Sequence, residues 1–271
     1  MSNPLFDLSG RTAVVMGGAA DIGVQVARGM AEVGADVVIA DPHVQAAEAR
    51  IGELRVANRH VSLEECDISD ADEIKALFKK LDSDGVRVDI LVTTSGESTI
   101  GRPEEMDADS LKQTFDGVVF GRFVACQEAG KRMLEQGKGS IVNIGSIGGI
   151  NAFGRAHTAF GIAMGGVVAL TKELSTEWAS RGVRVNSILI PQLATPAIVK
   201  LIEGTPEYQD TFVGASPMGR LGEPEEIKGV AVFLASDASS FVTGVTLPMD
   251  GGNLAMNGSG TYPGSPRFPF T

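Results

Sequence analysis

Seven short apolar runs, separated by longer stretches that mostly carry helical spacing, constrain this chain more than any other feature of it. The runs are TAVVM (12–16), DVVIA (36–40), VSLEEC (61–66), DILVT (89–93), SIVNI (140–144), VRVNSILI (183–190) and VTLPM (245–249). Runs of this length and apolarity are strands covered on both faces. Segments such as IGVQVARGMAEVG (22–34) and DEIKALFKKL (72–81) supply the covering helices. The expectation is an α/β fold with a doubly wound, seven-stranded parallel sheet. Such sheets bind ligands beyond the carboxyl ends of their strands, where the topology reverses. Chemistry is therefore expected just after Met16, Ala40, Thr93, Ile144 and Ile190.

With 271 residues, 43% of them hydrophobic, the chain can bury a large core. No Pro/Ser-rich or charge-run linker interrupts the span from 5 to 252, so one domain over 1–252 is expected, followed by a Gly/Pro/aromatic tail at 253–271. A net charge of −11 argues against nucleic acid and anionic membrane as partners, since both demand a basic face. The expected partner is a small-molecule substrate. Only Cys66 and Cys126 are present, which fits a reducing compartment, and neither a secretory signal core nor a membrane-spanning stretch is evident. A cytoplasmic protein without a metal is expected.

The turn after the first run, MGGAADIG (16–23), lies between a strand and a helix. Gly17 and Gly23 suit a tight turn and close helix packing, and a helix N-terminus then faces any phosphate. Asp41, at the end of the second run, sits where an acid would bind a ribose 2′-hydroxyl. Together these features specify a Rossmann-type nucleotide fold.

Over residues 5–252 the chain resembles the short-chain dehydrogenase/reductase family. DLSGRTAVVMGGAADIG is similar to the family's opening, CDISD (66–70) to its adenine-binding strand end, and GSIVNIGS (139–146) to its serine-bearing strand. RGVRVNSILIPQLATP (181–196), PMGRLGEPEEIKGVAVFLASDASSFVTG (217–244) and MDGG (249–252) match its last third closely. The family's proton relay is a serine, a tyrosine with a lysine four residues later, and an asparagine on the preceding long helix. Alignment through GGVVALTKE places the tyrosine at Phe160 and the lysine at Met164, and DGVVFG (116–121) places the asparagine at Val118. Ser146 alone is retained. A phenyl ring and a thioether neither lower a phenol's pKa from its ordinary value of about 10 nor grip a ribose. Loss of one general acid–base group typically costs about 10²- to 10⁴-fold in rate.

The resemblance implies changes in the cofactor site as well. The second glycine of the family's T-G-x-x-x-G-x-G turn falls at Asp21, whose carboxylate would stand close to a pyrophosphate. The family's N-N-A-G reads TTSG (93–96), including Ser95, and its P-G reads Pro191-Gln192. Gly17, Gly23, Asp41, Asp67 and Thr195 remain for the adenosine end. Weak NAD binding or none is expected, with Asp41 favouring NAD over NADP.

Three functional classes follow. The first in order is a non-redox enzyme, a lyase, isomerase, dehydratase or cyclase. It would use a pocket walled by Val118, Phe160, Met164, Gln192 and Ser95 on a hydrophobic substrate bearing a carbonyl or hydroxyl. Ser146 would orient the substrate oxygen, with His157 or Asp21 carrying the proton, since histidine as a class titrates near neutral pH. The second is a divergent NAD-dependent oxidoreductase with substitute acid–base groups, and the third a ligand-binding pseudoenzyme. Phe160 and Met164 also suit simple packing at i, i+4, Ser146 a bond within its own loop, and Asp21 a helix cap. Tyr262, Phe268 and Phe270 make the tail a candidate arm across a subunit boundary. The resemblance implies a homotetramer, or a homodimer.

Overall fold

The computed structural model describes residues 4–44, 48, 50, 52, 60–94, 96, 98–256, 258 and 260. Ser95 and the tail aromatics Tyr262, Phe268 and Phe270 lie outside the described residues. Strands β1 (Thr12–Met16), β2 (Asp36–Ala40), β3 (Val61–Glu64), β4 (Ile90–Thr93), β5 (Gly139–Ser146), β6 (Val183–Ile190) and β7 (Thr246–Pro248) form one sheet in the order β3-β2-β1-β4-β5-β6-β7. Every pairing is parallel. The chain winds outward from β1 to β3, then crosses back to β4. The topological reversal therefore falls between β1 and β4, where Met16 lies opposite Thr93.

Helices α1 (Asp21–Glu32), α2 (Ala71–Ser83), α3 (Ala108–Phe115), α4 (Gly121–Gln136), α5 (Thr158–Trp178), α6 (Pro196–Gly204), α7 (Glu207–Val213) and α8 (Ile227–Ala235) follow the strands. Alternation along β1 divides the core: Ala13 and Val15 face α1 and α8, whereas Val14 and Met16 face α2 and α4. This is the period-2 consequence of the pleat, and both faces are apolar because both are covered. Local signals set the boundaries. Asp70 caps α2 by accepting from the amides of Asp72 and Glu73, and Thr195 caps α6 by accepting from Ile198.

Four strands differ from their expected limits. β3 stops at Glu64 and β4 begins at Ile90. β5 begins at Gly139 and runs two residues further than SIVNI because β6 is long enough to keep the ladder to Ser146↔Ile190. Ser146 thus ends its strand instead of standing just beyond it. β7 keeps only Thr246–Pro248, although the Met249 amide still donates to the Leu189 carbonyl at 2.9 Å.

One buried side chain ties the carboxyl ends of the central strands together. Arg122, fully buried on α4, donates to the carbonyls of Thr93 (3.1 Å) and Ile144 (2.7 Å), to Thr93 Oγ1 (3.0 Å), and to the Val118 carbonyl (3.1 Å). Thr93 Oγ1 donates to Asn143 Oδ1 at 2.8 Å, and Asn143 Nδ2 donates to Thr171 Oγ1 on α5 at 3.1 Å. Burial lowers the Arg122 guanidinium to about 10. The same burial pushes the thiols of Cys66 and Cys126 up to about 12, so both are protonated and inert at neutral pH.

Candidate active site

The nucleotide turn is built as its sequence implied. Gly17 has φ 73°, a left-handed conformation suited to glycine, and its amide donates to the Ala40 carbonyl at 2.8 Å. A Cβ on Gly23 would lie 2.2 Å from the Gly17 carbonyl oxygen, so only glycine fits where α1 meets the turn. Asp41 is buried, accepting from the Ala19 amide (3.1 Å) and the His43 amide (2.9 Å), and so fastens the end of β2 to the glycine turn. The Thr94 hydroxyl lies 3.0 Å from the Met16 carbonyl and 2.8 Å from that of Gly17, bracing the turn from β4. Asp67 holds its own loop through the amide and hydroxyl of Ser69.

Asp21 is not the unopposed carboxylate that the sequence suggested. Arg50, 29 residues away in the chain, donates to its Oδ1 at 2.9 Å and to the Ala19 carbonyl at 3.1 Å. The pair places a guanidinium beside the glycine turn. The repulsion expected between Asp21 and a pyrophosphate is thereby offset, and Asp21 is occupied rather than poised to move a proton. Arg50→Ala is expected to weaken NAD binding about three- to tenfold by exposing that charge, and Asp21→Gly in the same background to restore it. Calorimetric titration checks both; unchanged affinity in Arg50→Ala would refute the compensation.

The three positions aligned with the missing relay residues come together in one small apolar cluster. Val118, in a π-helical turn (Asp116–Phe120), packs with Ala163, Met164 and Val167, and against Phe115, Val119 and Phe160. Val118 is fully buried and Met164 is 7% exposed. A Cβ on Gly149 would lie 2.6 Å from the Met164 carbonyl oxygen, so the turn after β5 presses directly on α5. Val118 and Met164 are thus buried side chains packed between α5 and the π turn. Phe160, half-buried, stacks on Phe153 (6.3 Å between centroids, 16° between planes) and meets His157 edge-on at 6.2 Å.

Ser146 is 7% exposed, and its Oγ accepts from the Gly148 amide at 3.1 Å, capping the 3₁₀ turn Ile147–Gly149. Its O–H has no acceptor among the described residues. His157 begins α5, and its Nδ1 bonds the Arg155 carbonyl. A carbonyl only accepts, so Nδ1 is the donor here, and in the neutral imidazole with this tautomer the acceptor nitrogen is Nε2. His157 and Arg155 line one open cleft with Gly148, Gly149, Asn151 and Thr158. Gln192 lines a second with Pro191, Leu193, Phe212, Asp250 and Asn253.

Between Arg155 and His157 stands Ala156, at φ 56° the single non-glycine residue with positive φ among the described residues. L-residues pay about 1–2 kcal/mol for this conformation, and such strain gathers at functional sites. The bend turns the Arg155 and His157 side chains to one cleft. The Arg155 guanidinium lies 5.1 Å over the Phe153 ring and 5.0 Å from the ring of Phe212 on α7, so it bridges the two clefts. Neither Arg50 nor Arg155 was singled out from the sequence. Each acts across a distance in the chain that leaves no local pattern.

A family model described as enoyl-(acyl carrier protein) reductase matches residues 17–253. The D-threitol dehydrogenase of Mycolicibacterium smegmatis is 36% identical over 91% of this chain and 94% of its own length. A galactitol 2-dehydrogenase (L-tagatose-forming) of Cereibacter sphaeroides is 37% identical over 92% of this chain and 96% of its own. The crystal structure of a gluconate 5-dehydrogenase from Burkholderia cenocepacia, in complex with NADP and tartrate, superposes with a TM-score of 0.88 at 28% identity, covering 94% of this chain and 99% of that one.

These findings overturn two expectations. Near-full-length relatives are named D-threitol dehydrogenase and galactitol 2-dehydrogenase, which contradicts a non-redox enzyme. A similar structure holds NADP, which contradicts the expectation of little or no nucleotide binding. The physical reason lies in Arg50: the aligned glycine was read as lost to a bare negative charge, whereas the fold neutralises that charge from a distant part of the chain.

Proposed function

As the chain belongs to the short-chain dehydrogenase/reductase family, we propose that it is an NAD(P)-dependent oxidoreductase that interconverts a secondary alcohol and a ketone on a polyhydroxylated small molecule. The observation that carries this reading is near-full-length similarity to a D-threitol dehydrogenase and a galactitol 2-dehydrogenase on a chain that keeps Gly17 and Gly23 of its glycine turn.

The described residues fit a nicotinamide dinucleotide. Gly17 takes the left-handed conformation that the turn needs, Gly23 closes onto the Gly17 carbonyl, the N-terminus of α1 follows directly, and Arg50 offsets the charge of Asp21 there. Asp41, a buried acid at the end of β2, favours the ribose hydroxyl of NAD over the phosphate of NADP. A bound nicotinamide would supply the hydride acceptor for the carbinol carbon. The Ser146 O–H donates to the substrate oxygen, and His157 Nε2 takes the hydroxyl proton as the carbonyl forms. His157 is favoured over Asp21 because Asp21 already engages Arg50. This assignment replaces the phenol and ammonium of the family with one imidazole approaching from the start of the same helix.

Exposed Phe120 at the end of the π turn, Phe123 on α4 and Ile162 on α5 present apolar surface on and beside two long helices, which supports a homo-oligomer joined through them. Residues 1–252 act as one domain in this reading, in the cytoplasm.

Absorbance of NADH, followed while NAD or NADP is offered with galactitol, D-threitol and D-gluconate, is expected to show turnover with at least one substrate, faster with NAD. Absence of turnover with every pair would defeat the oxidoreductase reading.

A further inference from the structure

The structure assigns Arg155 as an anchor for a substrate carboxylate, which makes a polyhydroxy monocarboxylate the preferred substrate class over a neutral polyol. The inference rests on the oxidoreductase reading for the reaction, though not for the binding event.

Four observations carry it. First, Arg155 is half-buried, its guanidinium carbon 5.1 Å from the Phe153 ring centroid and 5.0 Å from that of Phe212. Ring contacts of this kind take water from part of the guanidinium and leave N–H donors of its planar fork to meet a partner. Second, no carboxylate, carbonyl or hydroxyl among the described residues accepts from that edge. Other guanidiniums of the chain are committed: Arg132 to Asp82 and Glu128, Arg220 to Glu226, Arg11 to Asp237. Burial holds Arg155 below the usual arginine range, with Tyr208 opposing, the state of a cation that has given up water without gaining an acceptor. Third, Arg155 shares its cleft with His157, and the strained Ala156 between them fixes both side chains toward it. An acid gripped at Arg155 would thus present its hydroxyl-bearing carbons along the wall that leads to His157 Nε2. Fourth, the chain carries a net charge of −11, so long-range attraction does not bring anions to the site. Selectivity for one must come from a local cation, and bidentate Arg–carboxylate geometry supplies it.

The competing role is purely structural, with Arg155 clamping α7 to the loop before α5. The two roles separate by ligand. D-gluconate and D-sorbitol differ only in a carboxylate against a hydroxymethyl group. Each is titrated calorimetrically into the full chain with NADH present, so that oxidation does not proceed. The wild type is expected to bind gluconate at least about tenfold more tightly than sorbitol. Arg155→Gln, which keeps a planar stacking group but loses the charge, is expected to weaken gluconate about 10- to 100-fold and sorbitol less than about twofold. Arg155→Lys should recover part of the loss, since it restores charge without the fork. A thermal midpoint recorded for each variant monitors folding. Equal affinity of the wild type for the two ligands, or an equal loss for both in Arg155→Gln, overturns the assignment. Arg155-dependent gluconate binding without NAD-linked turnover would sink the redox reading alone. Turnover of galactitol without discrimination for gluconate would sink the carboxylate anchor alone.

Discussion

Arg122→Met is expected to lower the thermal midpoint by roughly 6–20 °C. The Arg122 guanidinium is fully buried and reaches two strand ends and the π turn at once, donating to Thr93, Ile144 and Val118. Methionine fills a similar volume but leaves those carbonyls without their donor. Each orphaned buried acceptor costs about 1–3 kcal/mol, and with partial relaxation of the three freed carbonyls the loss comes to roughly 3–5 kcal/mol. Against a total stability of about 5–15 kcal/mol, that is a large share. At about 2–4 °C per kcal/mol for a chain of this size class, the stated range follows. Arg122→Lys should fall between, keeping a cation while losing the fork. Differential scanning calorimetry decides the matter: a shift under about 3 °C for Arg122→Met would mean that water or relaxation satisfies the freed carbonyls, and that the network is not what holds β4 to β5 at the site.

His157→Gln is expected to cut kcat for NAD-linked oxidation by about 10²- to 10⁴-fold, the usual span for a general base. Glutamine preserves a donor for the Arg155 carbonyl but offers no base where Nε2 stood. Ser146→Ala should cost less, because it removes an orienting hydrogen bond and leaves the proton acceptor in place; their combined loss should fall short of the product, as for groups that act together. Phe160→Tyr in the His157→Gln background is the informative control. A phenol with Met164 beside it, rather than an ammonium, has nothing to lower it from about 10, so little rescue is expected at neutral pH. Steady-state kinetics with the best substrate test all three. If His157→Gln retains kcat within about threefold, the proton leaves by another route and the imidazole is a packing group against Phe153 and Phe160.

The two predictions draw on different kinds of legibility. The sheet was readable in the sequence because its central strands are apolar on both faces, and β1, β2 and β6 fall on the expected residues. The glycine turn was readable because a positive φ at Gly17 and the backbone contact at Gly23 demand glycine locally. The identities at 118, 160 and 164 were equally plain, and the sequence determined that no phenol or ammonium stands there. Their meaning was not. Whether three apolar residues wall a pocket or pack a core depends on the π turn and on the pressure of Gly149 against α5, which no periodicity encodes.

Charge pairing was the other matter decided in three dimensions. Asp21 read alone is an anion at a phosphate site; Asp21 with Arg50 at 2.9 Å is a neutralised corner of that site. Arg155 read alone is one more loop arginine, yet between Phe153 and Phe212 it becomes a half-desolvated cation without an acceptor. Strand and turn propensities are local properties of backbone and solvent, so the order of residues settled the doubly wound fold and the place of its nucleotide turn. Electrostatics acts through space and falls with distance rather than with separation along the chain, so only the tertiary structure decided which charges are cancelled and which remain for a ligand.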